Sequence, residues 1–312
     1  MRMRPWLLVT LILSACAILL GGLEWSRRGR DFSDAVLLER VPSEEGVTAF
    51  LNVKALRQSG WLEAIAGGRA NEDVEYQAFV RATGFDYRED LTTIVANFGP
   101  ENNVFVLRGR FDWQQIYGYL RDNGGKCVNS VCGMESKKGF FVSAMPLAED
   151  VLAVGTGISD RVVYTAQTIH PRSRTPIPSE PFWVELSKAY LQDPRRLPDG
   201  TRAFLSALSG AQRVTLGLGE SKAGSPHPIE ARLHAWFATL PEATAQRAQL
   251  EATTETLRKF FSRDRQRPNT GDLSGVLTSG RFGQNQTEVT AVWPIERAIF
   301  EKLFGTAAQA GR

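Results

Sequence analysis

The feature that most limits this chain is an uncharged stretch from Trp6 to Leu23, WLLVTLILSACAILLGGL, set behind Arg2 and Arg4. At 1.5 Å per residue, a helix of that length spans roughly 27 Å, close to the hydrocarbon thickness of a bilayer. A cleaved signal has a shorter apolar region followed by small and then polar residues, whereas Ala15-Cys16-Ala17 is followed by more apolar sequence. Trp6 and Trp25 flank the run, where indoles favour the headgroup region. The stretch therefore predicts one N-terminal transmembrane helix, with the membrane as a partner through residues 6–23. Leu13-Ser14-Ala15-Cys16 also matches a bacterial lipobox, so Cys16 is a candidate lipidation site and two modes of anchoring stay open. Arg27, Arg28 and Arg30 balance Arg2 and Arg4 across the run. The short basic head resembles a signal sequence, which favours the N-terminus inside and a periplasmic body.

Behind this anchor and its juxtamembrane linker (residues 1–30), hydrophobic alternation and helical periodicity alternate along the chain. Strands are expected at 47–51, 92–98 and 104–111, a helix at 113–120, a hairpin over 140–145 and 151–155, and a helix at 159–168. HPRSRTPIPSEP, with its four prolines, divides the body at 171–181 into a first half, 31–170, and a second, 182–312. In the second half, strands are expected at 182–186, 214–219, 229–238, 275–282 and 287–292. Helices are expected at 241–263 and 294–304. The elements follow one order in both halves. The expected fold is α+β: antiparallel sheets covered by helices on one face, in two related halves. Trp61 and Trp113 are assigned to the first core, Trp236 and Trp293 to the second.

Chemistry-bearing motifs are sparse. Thirty-seven Lys and Arg against 34 Asp and Glu leave a net charge of only +3 with the signs interspersed, which argues against nucleic acid. His170, His227 and His234 show no metal-ligand spacing, and no His-Glu-x-x-His or Cys-x-x-Cys occurs. No serine sits in a Gly-x-Ser-x-Gly elbow or a Ser-x-x-Lys pair. Gly155-Thr156-Gly157 and Gly217-Leu218-Gly219 lack the Gly-Lys-Ser/Thr sequel of a phosphate loop and read as turns at strand ends. Asp86, Glu89-Asp90 and Glu149-Asp150 could form a glycosidase pair only if brought face to face, and they read better as caps and solvated turns. Asn285-Gln286-Thr287 matches a glycosylation sequon, without force in a bacterial chain. No cofactor, metal or catalytic residue is assigned.

Cys127 and Cys132 are the only cysteines outside the apolar run. In an oxidising compartment they suit a structural disulfide closing a small loop; free buried thiols or redox chemistry are the alternatives. Together with the anchor, VPSEEGVTAFLNVKALRQSGWL, TGFDYREDL, VFVLRGRFD, KCVNSVC and WPIERAIFEKLF, this pattern resembles uncharacterised bacterial membrane-anchored proteins with a duplicated extracytoplasmic α+β body. That resemblance implies no activity and supplies no site residues. The expected role is a non-enzymatic binding or assembly module at the outer face of the cytoplasmic membrane. A cell-envelope enzyme using unassigned carboxylates, or a structural subunit of an envelope complex, are the rivals.

Overall fold

The computed structural model describes residues 32–66, 74–135, 139–172, 177–193, 208–221, 229–263, 273–296 and 299. The expected anchor, Cys16 included, lies outside them. Among the described residues no helix is long and apolar enough to cross a membrane. Contacts group the chain into Met1–Leu37 and Leu38–Arg312, and the sheet lies wholly in the second unit.

The expectation of separate sheets, one per half, is overturned. Twelve strands form a single antiparallel sheet in the order β11-β12-β10-β9-β8-β1-β2-β3-β7-β6-β5-β4. The strands are β1 (Val47–Leu51), β2 (Leu91–Phe98), β3 (Asn103–Gly109), β4 (Lys126–Val128), β5 (Val131–Glu135) and β6 (Phe141–Ala148). The rest are β7 (Val151–Gly157), β8 (Phe182–Ser187), β9 (Arg213–Glu220), β10 (Ile229–Trp236), β11 (Arg281–Asn285) and β12 (Glu288–Ile295). The seam is β1 against β8, from Val47↔Leu186 to Leu51↔Phe182. Outward from it the strands run β2, β3, β7, β6 on one side and β9, β10, β12, β11 on the other. The proline-rich crossing therefore leads back into the same sheet.

The sequence places a strand over 275–282. Instead a helix, Leu273–Thr278, precedes β11, because a short apolar run carries too little period to separate strand from helix. A helix is expected from Pro294, but β12 runs on to Ile295, so Pro294 belongs to a strand; the rest of that expected helix, save Ile299, lies outside the described residues.

Helices also do not keep to one face. Val53–Gln58 packs its buried Val53 and Leu56 on the face of β2 that carries Leu91 and Ile94. Leu240–Arg263 buries Ala243 and Leu250 on the same face further along, against Leu233, Val289, Ala291 and Trp293. The helix expected at 159–168 is the 3-10 helix Asp160–Gln167, and it covers the opposite face of β3, β6 and β7 with Val162, Val163 and Ala166. Gly155 explains its approach: a Cβ there would stand 2.5 Å from the Val163 nitrogen and 2.8 Å from the Val162 carbonyl carbon. The buried row Met145–Ala153–Val106–Val95–Phe50–Trp183 starts beneath it and takes one residue from each of β6, β7, β3, β2, β1 and β8. Trp183 stacks on Phe50 at 5.3 Å across the seam, holding the two sides together where their strands meet.

Candidate functional site

Because strand side chains alternate, the pairing register decides what this second face carries. Two residues along each strand from the apolar row, and so on the same face, runs Ser143–Gly155–Val104–Asn97–Thr48–Glu185, continued by Thr215–His234–Thr290. It is polar across most of its length, and Ser143, Asn97, Thr48, Glu185 and Thr215 are buried in it. Local hydrogen bonds meet most of the burial cost: Asn97 Nδ2 donates to the Glu45 carbonyl at 3.2 Å and Thr48 Oγ1 to the Pro42 carbonyl at 3.5 Å. Glu185 accepts from Arg172 Nη1 at 3.2 Å and lies 3.3 Å from Arg213 Nη1. Burial pushes both guanidinium pKa values down, with Glu185 opposing the shift.

Beyond the seam this face has charged and aromatic groups on β9, β10 and β12. Arg213 lies over the Trp236 ring at 4.2 Å, a cation–π contact. His234 stacks against Trp236 at 5.9 Å and meets Glu288 at 2.7 Å. Trp236, assigned from the sequence to a core, thus points away from the cluster that buries Trp293.

A cleft of about 480 Å³ opens where β1 and β9 end and β8 begins, lined among others by Asn52, Gln58, Trp61, Glu180, Glu220 and Arg232. Its geometry follows from two observations. Asn52 N donates to the Pro181 carbonyl at 2.7 Å, carrying the seam one step past β1, while the Asn52 side chain accepts from Ala55 N and starts the Val53–Gln58 helix. Glu180, just ahead of β8, then lies back across β9: its Cγ is 2.9 Å from where a Cβ on Gly217 would stand and 3.0 Å from that of Gly219. The Gly217-x-Gly219 pair, read from the sequence as a turn, lies within β9 with both glycines on one face. So does Gly155-x-Gly157 in β7. Period-two glycines here clear a strip for a side chain or helix to lie flat on the sheet.

The Glu180 side chain is only 5% exposed and accepts from Arg232 Nη1 at 2.9 Å. Arg232 also donates from Nη2 to Glu230 at 3.0 Å and to the Glu220 carbonyl at 2.8 Å. Burial works against its charge, but the bonds to Glu180 and Glu230 outweigh that and raise its pKa. A second, shallower groove of about 540 Å³, with Val47, Phe98, Pro100 and Tyr190 in its wall, lies at the other end of the seam.

Of the sequence-assigned residues, Cys127 and Cys132 are bonded. They face each other directly in the β4–β5 hairpin, Cα to Cα 4.0 Å, over a turn in which Asn129 and Ser130 both take positive φ. The carboxylates serve as caps and turns. Asp86 caps Arg88 N and accepts from the Tyr76 hydroxyl, Asp90 accepts from Asp86 N and Arg110, and Glu149–Asp150 form the β6–β7 turn. Among the described residues no cluster of three or more His, Cys, Asp or Glu could hold a metal. Glu180, Arg232 and Trp61 were missed by sequence reasoning; the one available signal was the two-residue spacing of the β9 glycines.

No protein-family model matches the chain, and no curated protein does. Among solved structures it is similar to one described as "Structure of crystal form I of TP0453". The identity is 12% over 87% of this chain and 96% of that one, with a TM-score of 0.44. A likeness this distant transfers neither ligand nor activity.

Proposed function

We propose that the protein is a non-enzymatic binding module tethered to the outer face of the cytoplasmic membrane through residues 6–23, with the Trp61–Glu180–Arg232 cleft as its ligand seat. The observation that carries the seat is the cleft itself: about 480 Å³, the size of a small-molecule site, with an aromatic wall and a few convergent polar groups. The tether rests on the uncharged run and its flanking tryptophans, and export on the Cys127–Cys132 bond, which suits an oxidising compartment.

Two measurements test this. The full chain sediments with membranes after mild lysis; recovery in the soluble fraction would overturn the tether. The detergent-solubilised chain is then melted in the presence of pools of small envelope components. A pool that raises the melting temperature of the wild type but not of Glu180→Gln supports the seat, and no response to any pool overturns it.

A further inference from the structure

The Glu180 carboxylate is half satisfied. Oε1 takes the hydrogen bond from Arg232, while Oε2 accepts nothing from any described residue, although the side chain is more than nine-tenths buried and forms part of the cleft wall. Oε2 is not among the fully buried unpaired polar atoms, so it keeps access to solvent and can take a donor from a molecule in the cleft. Arg232 has little left to give, since its other bonds hold Glu230 and the Glu220 carbonyl. Glu220 lines the cleft at the end of β9 and is exposed. Among the described residues, Glu180, Glu220 and Glu230 against one guanidinium leave a net of two negative charges around a space that Trp61 also lines.

Resting on the cleft as the ligand seat, we infer that its occupant is a small organic cation carrying a primary ammonium group. The ammonium donates to Glu180 Oε2, is held electrostatically by Glu220, and lies near Trp61, whose ring favours a cation over a neutral group. A neutral polyol of equal size would satisfy the hydrogen bond but leave the negative charge unmatched. An anion would be repelled.

The test titrates the full chain in detergent with 1,4-diaminobutane, using 1,4-butanediol as the neutral control, by calorimetry and by the nitrogen-15 resonance of the Trp61 indole. The diamine is expected to bind saturably, to weaken as salt is raised, and to shift the Trp61 signal, with the diol silent. Glu180→Gln is expected to weaken binding by about tenfold or more. Glu220→Gln, at an exposed position where folding is not at stake, is expected to weaken it by about threefold. Absence of saturable diamine binding by the wild type overturns the inference, as does equal binding by both variants. A diol that binds as well as the diamine, or an uncharged envelope component that binds through Glu180, overturns the cation while leaving the ligand seat standing. Silence of the diamine together with every envelope pool removes both.

Discussion

Glu185 offers the most direct test of how the sheet is held across its seam. Its side chain, 9% exposed, sits between Arg172 and Arg213, which are 14% and 19% exposed, and its backbone partner across the seam is Thr48. Arg172 Nη2 also donates to Thr48 Oγ1 at 3.3 Å and its Nε to the Leu38 carbonyl at 3.1 Å, so one guanidinium ties β1, β8 and the segment ahead of β1 together. Replacing Glu185 by Gln keeps the shape but removes the carboxylate between two part-buried guanidinium groups, leaving the outer carboxylates of Glu39, beside Arg172, and Glu288, beside Arg213, as counter-charges. Breaking a buried ion pair from one side costs about 3–5 kcal/mol, and the residual exposure of the arginines places the expectation near the lower figure. For a body of this size that lowers the melting temperature on the order of 10 °C. Urea denaturation of wild type, Glu185→Gln, Arg213→Met and the double variant closes a cycle, in which the double variant should recover part of the loss. A loss below about 1 kcal/mol for Glu185→Gln would show that water and the outer carboxylates Glu39 and Glu288, not Glu185, compensate these arginines.

Three further expectations follow from the geometry. Gly155→Ala should cost about 1–3 kcal/mol, since its Cβ would meet the backbone of Val162 and Val163; an unchanged denaturation midpoint would contradict the packing of the 3-10 helix on β7. Thiol labelling of the denatured, unreduced chain should find Cys127 and Cys132 blocked, and two reactive thiols in that segment would contradict both the bond and the export it supports. Burial, with Asp86 accepting its hydrogen bond, raises the Tyr76 pKa above its usual value of about 10. A pKa raised on folding contributes stability that is complete below the unfolded value and lost as pH climbs towards the folded one. Stability should therefore decline on the alkaline side of about pH 10, and Tyr76→Phe should flatten that decline; an identical slope in the variant would remove Tyr76 from the account.

Most strands were legible in the sequence because alternation is a local signal. β1, β8 and β9 fall within a residue of their expected limits, and β2 and β10 within two. The continuity of the sheet was not legible, since it depends on β1 finding β8 more than a hundred residues later, and no local pattern records that partner. The faces were equally hidden. Val162 and Val163 are apolar on any reading, yet which side of the sheet they cover is decided by Gly155, whose role appears only once the register pairs it with Val104 and Ser143. Trp236 shows the reverse problem: hydropathy assigns an indole to a core, and the pleat turns this one towards Arg213.

The cleft is a product of that same register, which is why no motif announced it. Pairing Trp183 with Gly217, and Gly217 with Arg232, sets an indole, a bare backbone and a guanidinium in line on one face. The bare position lets Glu180 lie across β9 and reach Arg232. A slip of one residue in the β8–β9 ladder would set Leu218 in place of Gly217, leaving Glu180 no strip to lie on and Arg232 without its buried partner. The polar row and the cleft therefore stand or fall with the ladders that continue outward from the β1–β8 seam. The apolar stack of Phe50 on Trp183 at that seam is structural support for the site without touching a ligand: it fixes the register from which the positions of Glu185, Glu180 and Arg232 all follow.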